Sequence, residues 1–169
     1  FRLGVLNRLY DAAEKRTEAA HPLDPWYYRI LSECFVRPNR AYTPQLHETV
    51  NTLDIPVPCS EEKVTAWRRV MEYLGCGRRV GPGFVALYEP ELLEAIMRKW
   101  QSEGSLEEFL HFAEQYVPTL TATGDMALSV AVPLQVLESR GRVRLTTRGD
   151  SAARAYMGER RVKWIRIGG

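Results

Sequence analysis

Little in this chain of 169 residues points to chemistry. Its three cysteines, Cys34, Cys59 and Cys76, are far apart and form no C-x-x-C pair, which removes the usual signatures of a disulfide framework and of a structural zinc site. Buried free thiols are expected instead. The three histidines, His21, His47 and His111, are solitary. His47-Glu48 begins like the zinc-protease pattern H-E-x-x-H, but Asn51 stands where the second histidine belongs. Gly75-Cys-Gly and Gly81-Pro-Gly lack the Lys-Ser/Thr pair and the strand-to-helix setting of a phosphate loop. No serine or cysteine sits in a recognisable nucleophile elbow. Apolar runs fall far short of the roughly 20 residues a membrane span needs, and the first residues do not read as a secretory leader. We therefore expect no enzyme activity, no cofactor, no metal and no membrane partner, with a cytoplasmic setting as the default.

What is present is a balanced globular composition, 45% hydrophobic and 26% charged, long enough to bury a core. The net charge of +2 is unevenly placed. Residues 1–122 carry 14 basic and 17 acidic side chains, and residues 123–169 carry 9 and 4. A positive C-terminal field attracts polyanions, or it pairs with the acidic N-terminal part. Beginning at Phe1 and ending in Gly168-Gly169, the chain also reads as a piece of something longer.

The strongest positive signal is an internal repeat. At a shift of 63 positions Val64, Met71, Leu74 and Val80 fall on Ala127, Leu134, Leu137 and Val143, and such duplication organises the remaining interpretation. An amphipathic leader helix is expected over residues 2–19, stopped by His21-Pro22. In the first copy Asp24-Pro25 opens a helix carrying Tyr27, Ile30, Leu31, Cys34 and Phe35. Thr43 is expected to cap a second helix with Leu46, Val50 and Leu53 inward, and Ser60 a third with the stripe Val64, Trp67, Met71 and Leu74. Residues 78–80 and 84–88 read as a hairpin. In the second copy Glu89-Pro90 opens a helix with Leu92, Leu93, Ile96, Met97 and Trp100. Ser105 and Glu108 form a capping box before Phe109 and Leu110. Asp125 is expected to cap a third helix reaching Ser139 that Pro133 kinks or splits. Residues 142–146 alternate as a strand, with residues 160–167 as its partner and a long connection, 147–159, between them.

Asp54, Glu61 and Lys63 match the D…E-x-K pattern of metal-dependent nucleases. That pattern needs a strand, whereas Ser60-Glu-Glu-Lys looks like a helix cap with acids in the first turn, so a nuclease is the weakest reading. Trp67 and Trp100 complete helical core stripes. Trp26 and Trp164 are less committed and can anchor a partner.

Three helices followed by a β-hairpin, twice in series, resemble the winged helix-turn-helix fold and its tandem members, which include plasmid replication initiators, recognition portions of some restriction enzymes and small subunits of chromosome-organising complexes. The resemblance covers nearly everything after residue 24 and rests on element order and the repeat. It implies a mainly α fold with small hairpins: an N-terminal helix over residues 1–23 and winged-helix units at 24–88 and 89–167. It also implies that residues 60–74 and 125–139 are the third helices that enter the major groove, with hairpins at 78–88 and 142–167 as wings. The departures matter. The second copy's third helix offers Ser129, Gln135 and Glu138 amid Val130, Ala131, Val132 and Leu134, which suits burial or a protein contact better than base readout. In the first copy Lys63, Arg68 and Arg69 share their helix with Glu61, Glu62 and Glu72. The wings are better candidates: Arg78 and Arg79 in the first, and Arg142, Arg144, Arg148, Arg154, Arg160, Arg161 and Lys163 in the second. The expectation is a duplex DNA-binding module using wing and backbone contacts. The alternative is a protein-contact scaffold of a larger DNA-processing assembly, docking through Val130, Val132 and Leu134.

Overall fold

The computed structural model describes residues 1–14, 24–55, 58–147, 153–156 and 161–168. Helix α1 (Arg2–Glu14) buries Leu6 and Ala13 and packs along α2 (Asp24–Leu31). The expected continuation of α1 to residue 19 and its stop at His21-Pro22 lie outside the described residues. Helix α2 runs into a π-helical turn, Ser32–Val36, which turns three neighbours, Cys34, Phe35 and Val36, into the core.

Strand β1 (Tyr42–Thr43), α3 (Leu46–Val50), α4 (Glu61–Leu74), β2 (Arg78–Val80) and β3 (Gly83–Val85) follow. The second half repeats this order with α5 (Pro90–Trp100), β4 (Glu103–Ser105), α6 (Leu106–Ala113), α7 (Leu128–Ser139) and β5 (Val143–Thr146). Within its connection β6 (Arg154–Ala155) pairs with β7 (Arg161–Val162), and β8 (Trp164–Ile167) closes the chain. Each half has a three-stranded antiparallel sheet of the same order, β1-β3-β2 and β4-β8-β5, so the last strand is central in both. The result is a mixed helix and sheet protein, more helical than stranded. Strands β1 and β4 escaped the sequence reading because two or three residues carry no readable alternation.

The repeat is real in element order but slides in register. Helices α4 and α7 begin at Glu61 and Leu128, 67 positions apart rather than 63. Both end on a left-handed glycine, Gly75 at φ 84° and Gly141 at φ 68°. The next amide bonds back into the helix, Cys76 to the Met71 carbonyl at 2.9 Å and Arg142 to the Leu137 carbonyl at 2.9 Å. Met71 thus corresponds to Leu137, one helical turn beyond Leu134. An apolar stripe repeating every three or four residues superposes on itself after one turn, so sequence periodicity cannot choose between the two alignments.

Four expected caps meet different fates. Ser60 accepts the Lys63 amide, and Ser105 and Glu108 complete their capping box. Thr43 caps nothing: it lies buried in β1 opposite Phe84, and α3 begins after Gln45 and lasts five residues. Asp125 is not the cap of α7 either. Its carboxylate accepts the Thr123 hydroxyl at 2.9 Å, while Asn39, from the first half and in the left-handed region at φ 52°, accepts the Leu128 amide at 2.8 Å. The start of α7 is capped from another part of the chain.

Pro133 neither splits nor ends α7, which runs unbroken from Leu128 to Ser139. A proline has no amide hydrogen to give the carbonyl four residues back, here Ser129. That carbonyl accepts the Tyr88 amide at 3.2 Å instead, and the Tyr88 hydroxyl donates to the Pro118 carbonyl at 2.6 Å. The Ala122 amide reaches the Arg37 carbonyl at 2.9 Å. Together with Asn39, these bonds lock the two halves into one core.

Candidate nucleic-acid interface

The second sheet forms its outer face by strict alternation. In β5, Val143 and Leu145 are buried while Arg144 is exposed and Thr146 half-buried, as the sequence predicts. In β8, Ile165 is buried and Ile167 half-buried against the core, which turns Trp164 and Arg166 outward. Register then aligns two rows across the three strands: Glu103, Arg166 and Arg144 in one, Ser105, Trp164 and Thr146 in the other. All of these except the buried Ser105, together with Leu145 and Thr147, line an open cleft of about 540 Å3.

The electrostatics of this face are unbalanced. Arg144 and Arg166 stand directly opposite each other, and like charges so placed repel. Glu103 lies 3.6 Å from Arg166, whereas Arg144 has no acid within bridging distance among the described residues. The arrangement has room for an anion and a reason to hold one.

The other expected binding residues divide into three groups. Arg69, Arg78 and Arg161 are, like Arg144, exposed and without an ion pair or side-chain hydrogen bond among the described residues. Arg148 and Arg160 lie outside the described residues, and Lys163 is half-buried. The rest are engaged internally, and each corrects the expectation that it is free for a ligand. Arg68 braces the first hairpin by donating to the Gly81 carbonyl at 2.7 Å and to the Thr65 hydroxyl at 3.0 Å. Arg79 pairs with Glu72 at 2.5 Å. Arg142 shares Glu94 with Arg98, and Arg154, only 22% exposed, pairs with Glu107 at 2.8 Å and donates to the Gly124 carbonyl at 2.6 Å. Arg140 likewise reaches Glu91 at 3.1 Å. Much of the C-terminal positive charge is therefore spent on acids of the first 122 residues, which was one of the two readings of the charge asymmetry.

These pairs set the titration of their acids. The Arg142 and Arg98 guanidinium groups hold the Glu94 carboxyl below the usual carboxylate range, and the Arg79 amide and guanidinium do the same for Glu72. Burial pushes the Cys34 thiol up to about 12 and raises Cys59 and Cys76 as well, as expected for inert core thiols.

Neither third helix presents a groove-reading face. On α4 the exposed residues include Glu61, Glu62 and Lys63 beside Arg69. On α7 Val130 and Leu134 are fully buried, so two of the three residues expected to dock a partner belong to the core, and only Val132 is half-exposed. Val132 and Val136 share with Val80, Val85 and Leu87 a groove of about 760 Å3 that Arg78, Glu89, Glu91 and Arg140 also line. The nuclease pattern does not assemble: Glu61 and Lys63 occupy the first turn of α4 behind the Ser60 cap, while Asp54 lines a separate cleft with Glu114 and His111. No group of three potential ligands that could hold a metal occurs among the described residues. None of their helices is long and apolar enough to cross a membrane.

Sequence reasoning missed Arg166 and Glu103 as members of the site and left Trp164 unassigned. The signal for Arg166 was present in the alternation Trp164-Ile-Arg-Ile167. It was masked by reading residues 160–167 as one strand, whereas the chain leaves β7 at Val162 and enters β8 at Trp164, changing sheets at Lys163. Nothing local marks Glu103, because β4 is legible only through its pairing with β8. In comparisons with known proteins, the chain matches no family model, no curated protein and no solved structure.

Proposed function

We propose that the chain is a non-enzymatic DNA-binding protein made of two winged-helix units, residues 24–88 and 89–167, behind an N-terminal helix. It grips duplex DNA through backbone contacts from the second unit's sheet and hairpin. Support for the units comes from the twice-repeated order of helix, strand, helix, helix and hairpin, with the last strand central in each sheet. This is likeness of form, so the function must rest on the site itself. The observation that carries it is the opposition of Arg144 and Arg166 on an exposed sheet face, with Glu103 on the far side of Arg166 and no acid beside Arg144 among the described residues. Arg161, on β7 of the separate two-stranded sheet, is a further exposed cation of the second unit. Such contacts attach to phosphate and give affinity that falls with salt and is largely indifferent to sequence. Three unpaired buried cysteines accord with a reducing compartment such as the cytoplasm.

The test is fluorescence anisotropy with blunt duplexes of unrelated sequence at increasing salt. Binding at low salt that collapses by about 200 mM is expected; affinity insensitive to salt contradicts the reading. A second reading, a protein-contact scaffold, is favoured by the groove between Val80, Val85, Val132 and Val136. Under it, Val132→Asp abolishes a partner's binding and leaves DNA binding intact.

A further inference from the structure

We infer that the outer face of the β4-β8-β5 sheet seats an unpaired nucleotide beside a duplex, with Trp164 stacking on the base and Arg144 and Arg166 holding its phosphates. The inference rests on the DNA-binding reading above and narrows it to duplexes with a single-stranded tail. Four tryptophans are present, and three have an aromatic or cationic partner inside the protein. Trp67 packs against Phe35 and Phe84, Trp100 against Phe109, and Trp26 lies under the Arg29 guanidinium at 5.3 Å. Among the described residues Trp164 has none of these, and its indole N–H makes no hydrogen bond to them. It is nevertheless on the central strand of the sheet, where its neighbours in register are the small Ser105 and Thr146. Its ring is held by a rigid strand, half-buried, and lines the open cleft together with Thr146, Arg144 and Arg166.

The next outward row on the same strands carries the two arginines, about 7 Å farther along. One nucleotide spans that distance, base on the ring and phosphate between the guanidinium groups. A duplex base is stacked between its neighbours and cannot offer its face to a side chain, whereas a base in a tail can. A flat sheet face with one aromatic and two cations suits a splayed base and does not fit a major groove. Glu103 pairs with Arg166 from the far edge and leaves the Arg144 side of the cleft open to phosphate.

Affinity is to be measured for a blunt duplex and for the same duplex with a four-nucleotide tail, using the wild type, Trp164→Leu and Trp164→Phe, each checked for folding by thermal melting. The tail is expected to raise wild-type affinity roughly tenfold or more, the scale of stacking one base. Trp164→Leu brings the tailed and blunt affinities together, and Trp164→Phe keeps most of the difference between them. Independently of any variant, a tail carrying 5-bromouracil should crosslink under ultraviolet light to the peptide containing Trp164. Equal wild-type affinity for tailed and blunt DNA, a tail advantage that survives in Trp164→Leu, or crosslinks confined to other peptides each overturn the inference and leave the duplex reading standing. Failure of the wild type to bind blunt duplex at low salt overturns the duplex reading instead, and tail binding alone then keeps the stacking seat.

Discussion

The two halves share one topology and distribute its faces in opposite ways. In the first, α4 is amphipathic with charges outward, and the outer face of the sheet carries one cation, Arg78, in register with Val85 and Tyr42, beside Val80, 48% exposed. In the second, α7 is apolar and buried, and the outer face of the sheet carries Arg144, Arg166 and Trp164. The cores differ too: Trp67, Phe35 and Phe84 form an aromatic cluster in the first half, while in the second Val130, Leu134, Leu137, Leu145 and Ile165 outnumber the buried Phe109 and Tyr156. The comparison teaches that a repeated fold does not repeat its interface. Which element can meet a polyanion depends on which one the core has left free. Here α7 is claimed by the core, so the cationic surface falls to the sheet.

The strongest way to break this comparison is to attack the two cores. Trp67→Ala is expected to lose about 3–5 kcal/mol and Leu137→Ala about 2–5 kcal/mol in denaturant unfolding. Trp67 also leaves the Tyr27 carbonyl without its 2.9 Å donor. Because the halves are hydrogen-bonded to each other, each variant should melt in a single transition; two separate transitions would show that the halves are independent.

Arg154→Ala comes next, with a loss of about 1–3 kcal/mol, because the Gly124 carbonyl and Glu107 are left without their partner. Its DNA affinity should be unchanged, in contrast to Arg144→Ala; a weakened salt dependence in folded Arg154→Ala would return that residue to the interface. Asn39→Ala removes the cap that the first half supplies to α7 and should cost about 0.5–2 kcal/mol. An unchanged melting temperature would mean that α7 does not need the first half.

A smaller effect on stability, but a direct one on function, is expected from Arg144→Ala with Arg166→Ala. The slope of log affinity against log salt should fall by about 1.8, two phosphate contacts at about 0.9 each, with folding changed by less than about 0.5 kcal/mol. The matching pair on the first half, Arg69→Ala with Arg78→Ala, should change the slope less. If it changes the slope more, the roles assigned to the two halves are reversed.

The smallest effect is on acid stability. Glu94 and Glu72 hold their protons more weakly in the folded protein than in the unfolded chain, so the unfolded state protonates first as pH falls. Their contribution is present in full above the ordinary carboxylate value of about 4.3 and is lost progressively below it. Glu94→Gln should therefore flatten the fall of melting temperature below about pH 4.3, and an unaltered profile would remove the Arg142 pair from the account.

Much of the helical skeleton was legible because helix signals are local. Asp24-Pro25 and Glu89-Pro90 stand at the starts of their helices, Ser60 and the Ser105–Glu108 box bond within three residues, and the stripes around Trp67 and Ile96 need only one helix to be seen. The alternation of Arg142 to Thr146 was legible for the same reason. The candidate site was only half legible. Arg144 could be read from its own strand, but its relation to Arg166 is a pairing across residues 144 and 166, and no local pattern records register between distant strands.

Neighbouring residues alone carry the order of the helices, their duplication and the positive C-terminal segment, since composition, periodicity and capping are local, whereas the short strands β1, β4 and β6 show only through their pairing. Tertiary structure alone decided which arginines are free. Arg79, Arg142 and Arg154 look the same in sequence as Arg78 and Arg144, yet Glu72, Glu94 and Glu107 reach the first three and not the others. It also decided that Pro133 leaves the Ser129 carbonyl for Tyr88 and that Asn39 caps α7. Each of those outcomes depends on a hydrogen bond or an ion pair, which acts over about 3 Å of space irrespective of separation along the chain.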